Sequence, residues 1–298
     1  MNQLSLSHLH KVYGDYAATN DVSFDIPKGS IFGMLGPNGA GKTTLIRMIT
    51  QITFPDSGTI LFNGEKLREA HNNRVGYMPE ERGLYKTMKV YEHLLYLARL
   101  KDLSAAEASK RVLFWMEKFD IGNWRNKKIE ELSKGMAQKI QFISTVIHEP
   151  ELLILDEPFS GLDPINAQLI EDEIYDLRKK GCTIIFSTHR MEQVEEICDS
   201  IVLINKGKKI LEGGVAELKQ RFKENKFRVQ FEGALPADFT EKFAPLSVHE
   251  NEALVQSKQS SNEVLRYFVD RHIPITGYNE VLPGLNEIFI TAVKQSHE

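Results

Sequence analysis

The stretch Gly36-Pro37-Asn38-Gly39-Ala40-Gly41-Lys42-Thr43-Thr44 has the pattern G-x-x-x-x-G-K-[ST]. It follows the apolar run Ile31-Phe32-Gly33-Met34-Leu35 and leads into a helical pattern, Thr44-Leu45-Ile46-Arg47-Met48-Ile49. This order of strand, loop and helix is the context that a phosphate-binding loop requires. The alternative is a glycine-rich turn that contains a lysine by chance, and such a turn has no reason to lie between a strand and a helix. The stretch therefore predicts that the chain binds a nucleoside triphosphate.

The residue types in this loop have direct chemical reasons. Glycines at positions 36, 39 and 41 let the backbone curl, so that successive N–H groups point at an anion. The helix that follows adds the positive end of its dipole at the same place. Lys42 supplies a charge for the β- and γ-phosphates, and the hydroxyl of Thr43 is placed to ligate Mg²⁺.

Length and composition limit the class of protein. The chain has 298 residues, 42% hydrophobic and 26% charged, which is ordinary for a soluble globular protein with one large and one small domain or two domains. The net charge is −4, so a nucleic-acid-binding surface is not expected.

The cysteines and the apolar pattern predict the cellular compartment of the chain. Cys182 and Cys198 form no C-x-x-C or Cys/His cluster, so we expect a reduced, cytosolic protein without a zinc site. The first residues, Met1-Asn2-Gln3-Leu4, do not begin a signal peptide, and no window approaches eighteen apolar residues. Any membrane role is therefore expected to come through a partner.

The pattern along the chain predicts an α/β fold in two domains. Residues 1–221 alternate strands with helices as a mixed sheet, and helical periodicity dominates from about residue 87 to 148, which predicts a helical subdomain. The aromatic residues of that subdomain are interpreted as core. The charged stretch Lys219-Gln220-Arg221-Phe222-Lys223-Glu224-Asn225-Lys226 marks a boundary, and residues 222–298 predict a small α+β domain.

A second motif ends in two carboxylates. Leu152-Leu153-Ile154-Leu155 is a continuous apolar run of the buried parallel type, and Asp156, Glu157 and Pro158 follow it. A strand of this kind delivers Asp156 to its carboxyl end beside the phosphate loop, where it can hold Mg²⁺. Glu157 is then the natural general base for the water that attacks the γ-phosphate.

Further motifs resemble the nucleotide-binding subunit of an ATP-binding cassette (ABC) transporter. Leu132-Ser133-Lys134-Gly135-Met136 resembles the signature loop LSGGQ, and Ser160-Gly161-Leu162-Asp163 resembles the D-loop between two sites. The resemblance implies that His189 is the switch histidine at the γ-phosphate and that Tyr13 stacks on adenine. The ATP-binding residues it implies are Tyr13, Gly36, Asn38, Gly39, Ala40, Gly41, Lys42, Thr43 and Thr44.

The resemblance also implies architecture and partners. It implies a P-loop NTPase fold (an ABC cassette), ATP and Mg²⁺ as cofactors, and two chains facing head to tail. Ser133, Lys134 and Gly135 of one chain would complete the site of the other, with Asp163 at the interface. The second chain would be an identical or related ATPase subunit. An integral-membrane permease would hold the pair at the inner face of the cell membrane, through the helical insertion and the loop after Glu80.

The chain departs from the family pattern at three positions. Lys134 and Met136 replace a Gly and a Gln of the signature, and Ser133 and Gly135 keep the hydroxyl and the close backbone approach. Glu80, in Val75-Gly76-Tyr77-Met78-Pro79-Glu80, stands where the family usually has Gln. A carboxylate binds Mg²⁺ more strongly than an amide does and repels the γ-phosphate when metal is absent. Either Glu80 makes the site strictly Mg²⁺-dependent, or it is a tolerated substitution.

The stretch Glu80-Glu81-Arg82-Gly83-Leu84-Tyr85 and the small C-terminal domain resemble a bacterial subgroup linked to export of sodium, drugs or other small solutes. Three alternatives stay open. They are an importer ATPase with a C-terminal regulatory domain, a soluble ABC protein acting on ribosomes or DNA, and an ATP-gated module without hydrolysis. The C-terminal domain itself is either a small-molecule sensor or a dimer brace.

Overall fold

A computed structural model of the chain describes residues 1–81, 83–257 and 261–295. Arg82 of the stretch quoted above lies outside the described residues. The contacts divide the chain into a unit Met1–Gly213 and a unit Gly214–Glu298. The helix Val215–Arg221 falls in the second unit, where it packs against the helix Leu285–Gln295. The boundary after residue 221 stays a prediction of the charged stretch.

Strands and helices alternate through the first unit. The strands are β1 (Asn2–Tyr13), β2 (Tyr16–Pro27), β3 (Ile31–Leu35), β4 (Ser57–Phe62), β5 (Glu65–Lys66), β6 (Val75–Met78), β7 (Leu152–Asp156), β8 (Thr183–Ser187), β9 (Ser200–Asn205) and β10 (Lys208–Gly214). The helices are α1 (Lys42–Ile49), α2 (Val90–Leu100), α3 (Ala105–Lys118), α4 (Lys134–Val146), α5 (Pro164–Lys179) and α6 (Met191–Ile197).

The strands of the first unit form two sheets. One is antiparallel and has the strand order β2-β1-β4-β5. The other has the order β10-β9-β3-β8-β7-β6 and is parallel from β9 to β6. Strand β10 follows β9 after two residues, a connection that only antiparallel neighbours allow, so this sheet is mixed.

The central strands β3, β7 and β8 are buried along their whole length. Their apolar runs face covered surfaces on both sides, as parallel sheets require. Because parallel strands end at the same edge of a sheet, the residues after β3, β7 and β8 come together there. Asp156 of β7 pairs directly with Ser187 of β8.

Helices α2, α3 and α4 form the predicted helical region. Ser104 caps α3 by accepting a hydrogen bond from the backbone N–H of Glu107 (3.2 Å), as the pattern Ser104-Ala105-Ala106-Glu107 predicts. Phe119 and Phe142 are buried with ring centroids 6.0 Å apart, which confirms the core interpretation for these two residues. The interpretation is wrong for Tyr96 and Phe114, which are exposed. Among the helices that the structure describes, none is both long enough and apolar enough to cross a membrane.

The second unit is a small α+β domain. Its elements are α7 (Val215–Arg221), β11 (Lys226–Phe231), α8 (Ala237–Phe243), β12 (Ser247–His249), β13 (Glu252–Gln256), α9 (Ser261–Asp270), β14 (Ile275–Val281) and α10 (Leu285–Gln295). The antiparallel sheet has the order β12-β13-β11-β14. An aromatic core that includes Phe231, Phe239 and Phe268 is buried. The predicted α+β domain is thus confirmed as a separate compact unit.

Candidate nucleotide-binding and catalytic site

The glycine-rich loop turns tightly at the carboxyl end of β3. Gly36 has φ +148°, and a Cβ atom there would lie 2.1 Å from the carbonyl oxygen of Ile204. Gly41 has φ +111°, and a Cβ atom there would lie 2.4 Å from the carbonyl oxygen of Ala18. Any side chain at either position would clash with backbone, so both glycines are required by space as well as by conformation.

Lys42, the first residue of α1, folds back over this loop. Its Nζ donates hydrogen bonds to the carbonyl oxygens of Gly36 (2.6 Å) and Pro37 (3.1 Å). Burial lowers the pKa of Lys42, and the carboxylates of Asp156, Glu157 and Glu80 oppose that shift. The lysine is therefore close to three negative charges and to the curled backbone at once.

Asp156 and Glu157 end strand β7 in different environments. Asp156 is buried, and burial raises its pKa, although the neighbouring Ser187 and Lys42 oppose the shift. Glu157 has φ +52°, in the left-handed region, and its N–H donates to the carbonyl oxygen of Ser187 (2.9 Å). This turn directs the Glu157 side chain away from the strand and toward the segment after β8.

The Glu157 carboxylate is held by the two residues that follow β8. Its Oε1 accepts from the backbone N–H of His189 (2.9 Å) and lies 2.6 Å from His189 Nδ1. Its Oε2 accepts from the Thr188 hydroxyl (3.1 Å). The two predicted catalytic residues are therefore in direct contact in this structure.

A polar cleft of about 620 Å³ collects most of the predicted site residues, and we call it the catalytic cleft. It is lined by Tyr16, Ala18, Asn38, Gly39, Ala40, Gly41, Lys42, Thr43, Thr44, Glu80, Asp156, Glu157 and His189. Residues that are distant in sequence thus meet where the strand-end argument places them. The oxygen atoms of Thr43, Glu80 and Asp156 are of the type that Mg²⁺ prefers.

Tyr16 is a lining residue that the sequence analysis missed, whereas Tyr13 is not among the lining residues. Tyr13 and Tyr16 pair across the turn between β1 and β2, and both are exposed. The Tyr16 hydroxyl donates to the carbonyl oxygen of Gly39 (2.8 Å), and Lys11 Nζ lies 5.6 Å from the Tyr13 ring centroid. The sequence could have pointed to Tyr16, because Gly14-Asp15 is a two-residue hairpin turn and such a turn brings both tyrosines to the same end of the strand pair.

The signature residues lie at the start of α4, and none of them lines the catalytic cleft. Ser133 caps this helix by accepting from the N–H of Met136 (3.3 Å). A Cβ atom at Gly135 would lie 3.5 Å from the carbonyl oxygen of Gly161, so the signature adjoins the D-loop stretch of the same chain. Asp163 caps α5 by accepting from the N–H of Asn166 (3.0 Å).

Helix α4 is bonded to both carboxylate-bearing loops of the catalytic cleft. Gln138 Nε2 donates to the carbonyl oxygen of Pro158 (2.9 Å), next to Glu157. Gln141 Nε2 donates to the carbonyl oxygen of Pro79 (2.7 Å), next to Glu80. Neither glutamine is among the predicted site residues.

The chain is similar to known ATP-binding proteins over most of its length. Residues 19–160 match the family model described as ABC transporter, and residues 213–293 match the model for the C-terminal domain of DrrA1-3-like ATP-binding proteins. The chain is 50% identical to the uncharacterized ABC transporter ATP-binding protein YhaQ of Bacillus subtilis, over 74% of each chain. It is 33% identical to a Nod factor export ATP-binding protein I of Burkholderia orbicola, over 95% of this chain and 91% of that one.

A solved structure shares the fold of the first part of the chain. The ATP-binding subunit of an ABC transporter superposes with a TM-score of 0.70 and 31% identity, covering 74% of this chain and 93% of that one. The resemblance that the sequence motifs indicated is confirmed by these similarities. The chain therefore belongs to the ATP-binding proteins of the ABC transporter family.

Proposed function

We propose that this chain binds and hydrolyses Mg²⁺–ATP at the catalytic cleft, closes as a dimer over two ATP molecules, and thereby drives an export permease. The observation that carries the proposal is the convergence of residues 38–44 of the phosphate loop with Asp156, Glu157 and His189 in one cleft. Backbone N–H groups, one lysine and paired carboxylates are what phosphoryl transfer to water requires.

The cleft residues divide into phosphate and metal ligands. The loop N–H groups and Lys42 would bind the β- and γ-phosphates, which would take over from the Gly36 and Pro37 carbonyls as partners of the lysine. Thr43, Asp156 and Glu80 would hold Mg²⁺ directly or through water. Mg²⁺ bound there would neutralise the negative charge that develops on the phosphate oxygens.

Glu157 and His189 would act on the attacking water. Glu157 would accept a proton from this water as general base, and His189 would contact the γ-phosphate. Their mutual hydrogen bond (2.6 Å) supports a shared task, because it keeps both groups together in the cleft. Tyr13 would stack on the adenine base from the hairpin above the loop.

Two copies would be needed for each complete site. The signature residues Ser133, Lys134 and Gly135 adjoin the D-loop rather than the catalytic cleft of their own chain, which supports their use by a second chain. The N-terminus of α4 is a suitable anion site because its N–H groups and dipole face outward there. Asp163 would lie at the interface of a homodimer or of a pair with a related subunit.

A second cleft, which we call the apolar cleft, is proposed as the docking site of the permease. It has a volume of about 540 Å³ and its lining includes Ile52, Val75, Tyr77, Leu84, Leu97 and Leu100. Ile52 and Leu100 are 62% and 55% exposed, which is unusual for large apolar side chains grouped together. Docking there would hold the pair of ATPase subunits at the inner face of the membrane.

We infer export as the direction of transport from a relative that covers almost the whole chain. That protein is named for Nod factor export, and it is similar to this chain in both domains. The transported solute would be sodium, a drug or another small molecule.

The test is the variant Glu157→Gln in the full chain. Loss of the general base is expected to slow ATP hydrolysis by about 100-fold or more, and ATP should then trap a dimer, measured by light scattering after size-exclusion chromatography. The double variant Glu157→Gln with Ser133→Arg is the control, because an arginine at the signature should block closure. If ATP leaves Glu157→Gln monomeric, two chains do not share the site.

A further inference from the structure

The two carboxylate oxygens of Glu157 have different numbers of hydrogen-bond donors. Oε1 accepts from the backbone N–H of His189 (2.9 Å) and from His189 Nδ1 (2.6 Å). Among the described residues, Oε2 accepts from the Thr188 hydroxyl alone (3.1 Å). A carboxylate oxygen offers roughly two lone-pair sites. Oε1 is therefore saturated by protein donors, whereas Oε2 keeps one site for a further donor.

The remaining site on Oε2 belongs to a side chain that lines the catalytic cleft. The Glu157 side chain is 15% exposed, so water reaches it although most of its surface is covered by protein. A water molecule that donates to this carboxylate must use Oε2, because both sites of Oε1 are occupied. The proton that this water loses during attack would then pass to Oε2.

Thr188 is fixed in place so that its hydroxyl has one orientation. It follows the last residue of β8 and is 1% exposed. Its Oγ1 accepts from the backbone N–H of Arg190 (3.2 Å), which leaves the hydroxyl proton for Glu157. An ionised carboxylate can only accept, so Thr188 is the donor in that bond. Thr188 does not occur among the described residues that line the catalytic cleft, so its effect on a reaction there passes through Glu157.

Thr188 and His189 differ as supports of the carboxylate. The His189 side chain is 64% exposed, and in the proposed function its ring also contacts the γ-phosphate, so its position depends on the substrate. Thr188 is buried and its bonds are to Glu157 and to backbone, so it holds Oε2 whether or not substrate is bound. A buried hydrogen-bonded neighbour of this kind is what keeps a catalytic group within reach of its target.

We propose that Thr188 is a positioning residue for hydrolysis, which holds Glu157 so that Oε2 receives the proton of the attacking water. The proposal rests on the proposed function, since it needs ATP hydrolysis in the catalytic cleft. The water oxygen forms a bond to the γ-phosphorus while the bond from this phosphorus to the β–γ bridging oxygen breaks, and ADP leaves with that electron pair. One water proton passes to Oε2. The products are ADP, inorganic phosphate and a protonated Glu157, which then releases its proton to solvent.

The experiment measures steady-state hydrolysis of Mg²⁺–ATP by the full chain. Thr188→Val keeps the branched shape and removes the hydroxyl. We expect kcat to fall about 10- to 30-fold, which is typical of losing one hydrogen bond to a charged group. The KM for ATP should change less than about twofold, because the contacts of the phosphate loop remain. Thr188→Ser keeps the hydroxyl and should recover at least about half of the wild-type kcat. Thr188→Ala repeats the test without a methyl group against the carboxylate.

Thr183→Val is the matched control, because Thr183 begins the same strand and is fully buried. Its Oγ1 also makes one bond of each kind: it accepts from the backbone N–H of Gly29 (2.8 Å) and donates to Gln3 Oε1 (3.4 Å). The same substitution there should leave kcat within about twofold of the wild-type value, since the Thr183 bonds are at the other end of β8. A loss of stability alone would affect both variants.

The double variant Thr188→Val with Glu157→Gln tests the path of the effect. If Thr188 acts through Glu157, adding Thr188→Val to Glu157→Gln should slow single-turnover hydrolysis by less than about twofold. Four results would overturn the proposal: wild-type kcat in Thr188→Val and Thr188→Ala, a loss that Thr188→Ser does not restore, an equal loss in Thr183→Val, or a full additional loss in the double variant. Failure of the proposed function would look different, because the wild-type chain itself would not hydrolyse ATP.

Discussion

The catalytic cleft and the apolar cleft are similar in volume, about 620 and 540 Å³, and opposite in chemistry. The catalytic cleft is built from loops at the ends of β3, β7 and β8, where Lys42 bonds to backbone carbonyls and Glu157 bonds to His189. The apolar cleft is bordered in part by helices α2 and α4, and its unused groups are neutral acceptors.

The contrast teaches how one helix can serve two tasks. Helix α4 presents Gln141 to the apolar cleft and to the Pro79 carbonyl, and Gln138 to the Pro158 carbonyl. Charge is thus kept in the cleft where phosphate chemistry needs it, and the hydrogen bonds from α4 to the two loops are made by neutral amides. Neutral amides can be buried at low cost when they are hydrogen-bonded, whereas buried charges cannot.

The largest expected effect comes from removing the cation of the catalytic cleft. Lys42→Ala should lower kcat/KM for ATP by about 1,000-fold, or ~4 kcal/mol, because the γ-phosphate would lose a half-buried charged donor. Steady-state ATP hydrolysis measures this loss. Lys66→Ala, at an exposed position of β5, should match wild type, and a Lys42→Ala protein with more than a tenth of wild-type activity would contradict the assignment.

A charge placed in the apolar cleft should have the next largest effect. Leu100→Asp should weaken permease binding about 30-fold, or ~2 kcal/mol, since an apolar contact at an interface becomes a desolvated carboxylate. Binding to permease in nanodiscs is measured by biolayer interferometry. Leu113→Asp makes the same change on the exposed surface of α3 outside the cleft. Equal weakening by both variants would argue that the cleft is not the docking site.

The metal shell offers a smaller and more specific test. Glu80→Gln should reduce the ratio of ATP affinities with and without Mg²⁺ by about 3- to 10-fold, because removal of one charge near the γ-phosphate is worth ~1 kcal/mol at a partly exposed site. Calorimetric titration with ATP in Mg²⁺ and in EDTA gives the ratio. An unchanged ratio, with an unchanged Mg²⁺ titration of ATP hydrolysis, would favour Glu80 as a tolerated substitution.

The smallest expected effect is a pH dependence of the free energy of unfolding that arises from His93 in α2, a helix that borders the apolar cleft. Burial lowers the pKa of His93 from 6.5 to about 4, and within the described residues neither ring nitrogen has a hydrogen-bond partner. Between these pH values only the unfolded chain binds the proton, so the free energy of unfolding falls as pH drops from 6.5 toward 4.

His93→Leu should therefore reduce the fall in Tm between pH 7 and pH 5 by about 2–4 °C. Differential scanning calorimetry at both pH values measures it. His8→Gln is the control, because His8 is exposed on β1 beside Asp21. A His93→Leu protein with the wild-type pH dependence would place the responsible group elsewhere.

Sequence reasoning succeeded where a short stretch fixes its own geometry. The phosphate loop, the run ending in Asp156 and Glu157, and the cap at Ser104 are local patterns, and the structure has them at the predicted residues. The α/β fold with a separate α+β domain followed from periodicity.

The features that could not be predicted are contacts between residues that lie far apart in the sequence. The contact of Gln141 with Pro79 spans 62 positions, and nothing in a helical pattern tells which glutamine will meet a carbonyl. Tyr16 was within reach of a hairpin argument but looks like an ordinary surface tyrosine in sequence. The boundary after residue 221 rested on charge, whereas α7 falls in the second unit through its packing against α10.

The left-handed backbone at Glu157 has a consequence for how this protein can evolve. A residue with a side chain at φ +52° gives up roughly 1 kcal/mol relative to glycine there. Glycine would relieve this strain, but it would also remove the carboxylate that we propose as the general base and its hydrogen bonds to Thr188 and His189. Under the proposed function, selection for a relaxed backbone and selection for turnover therefore oppose each other at this single residue.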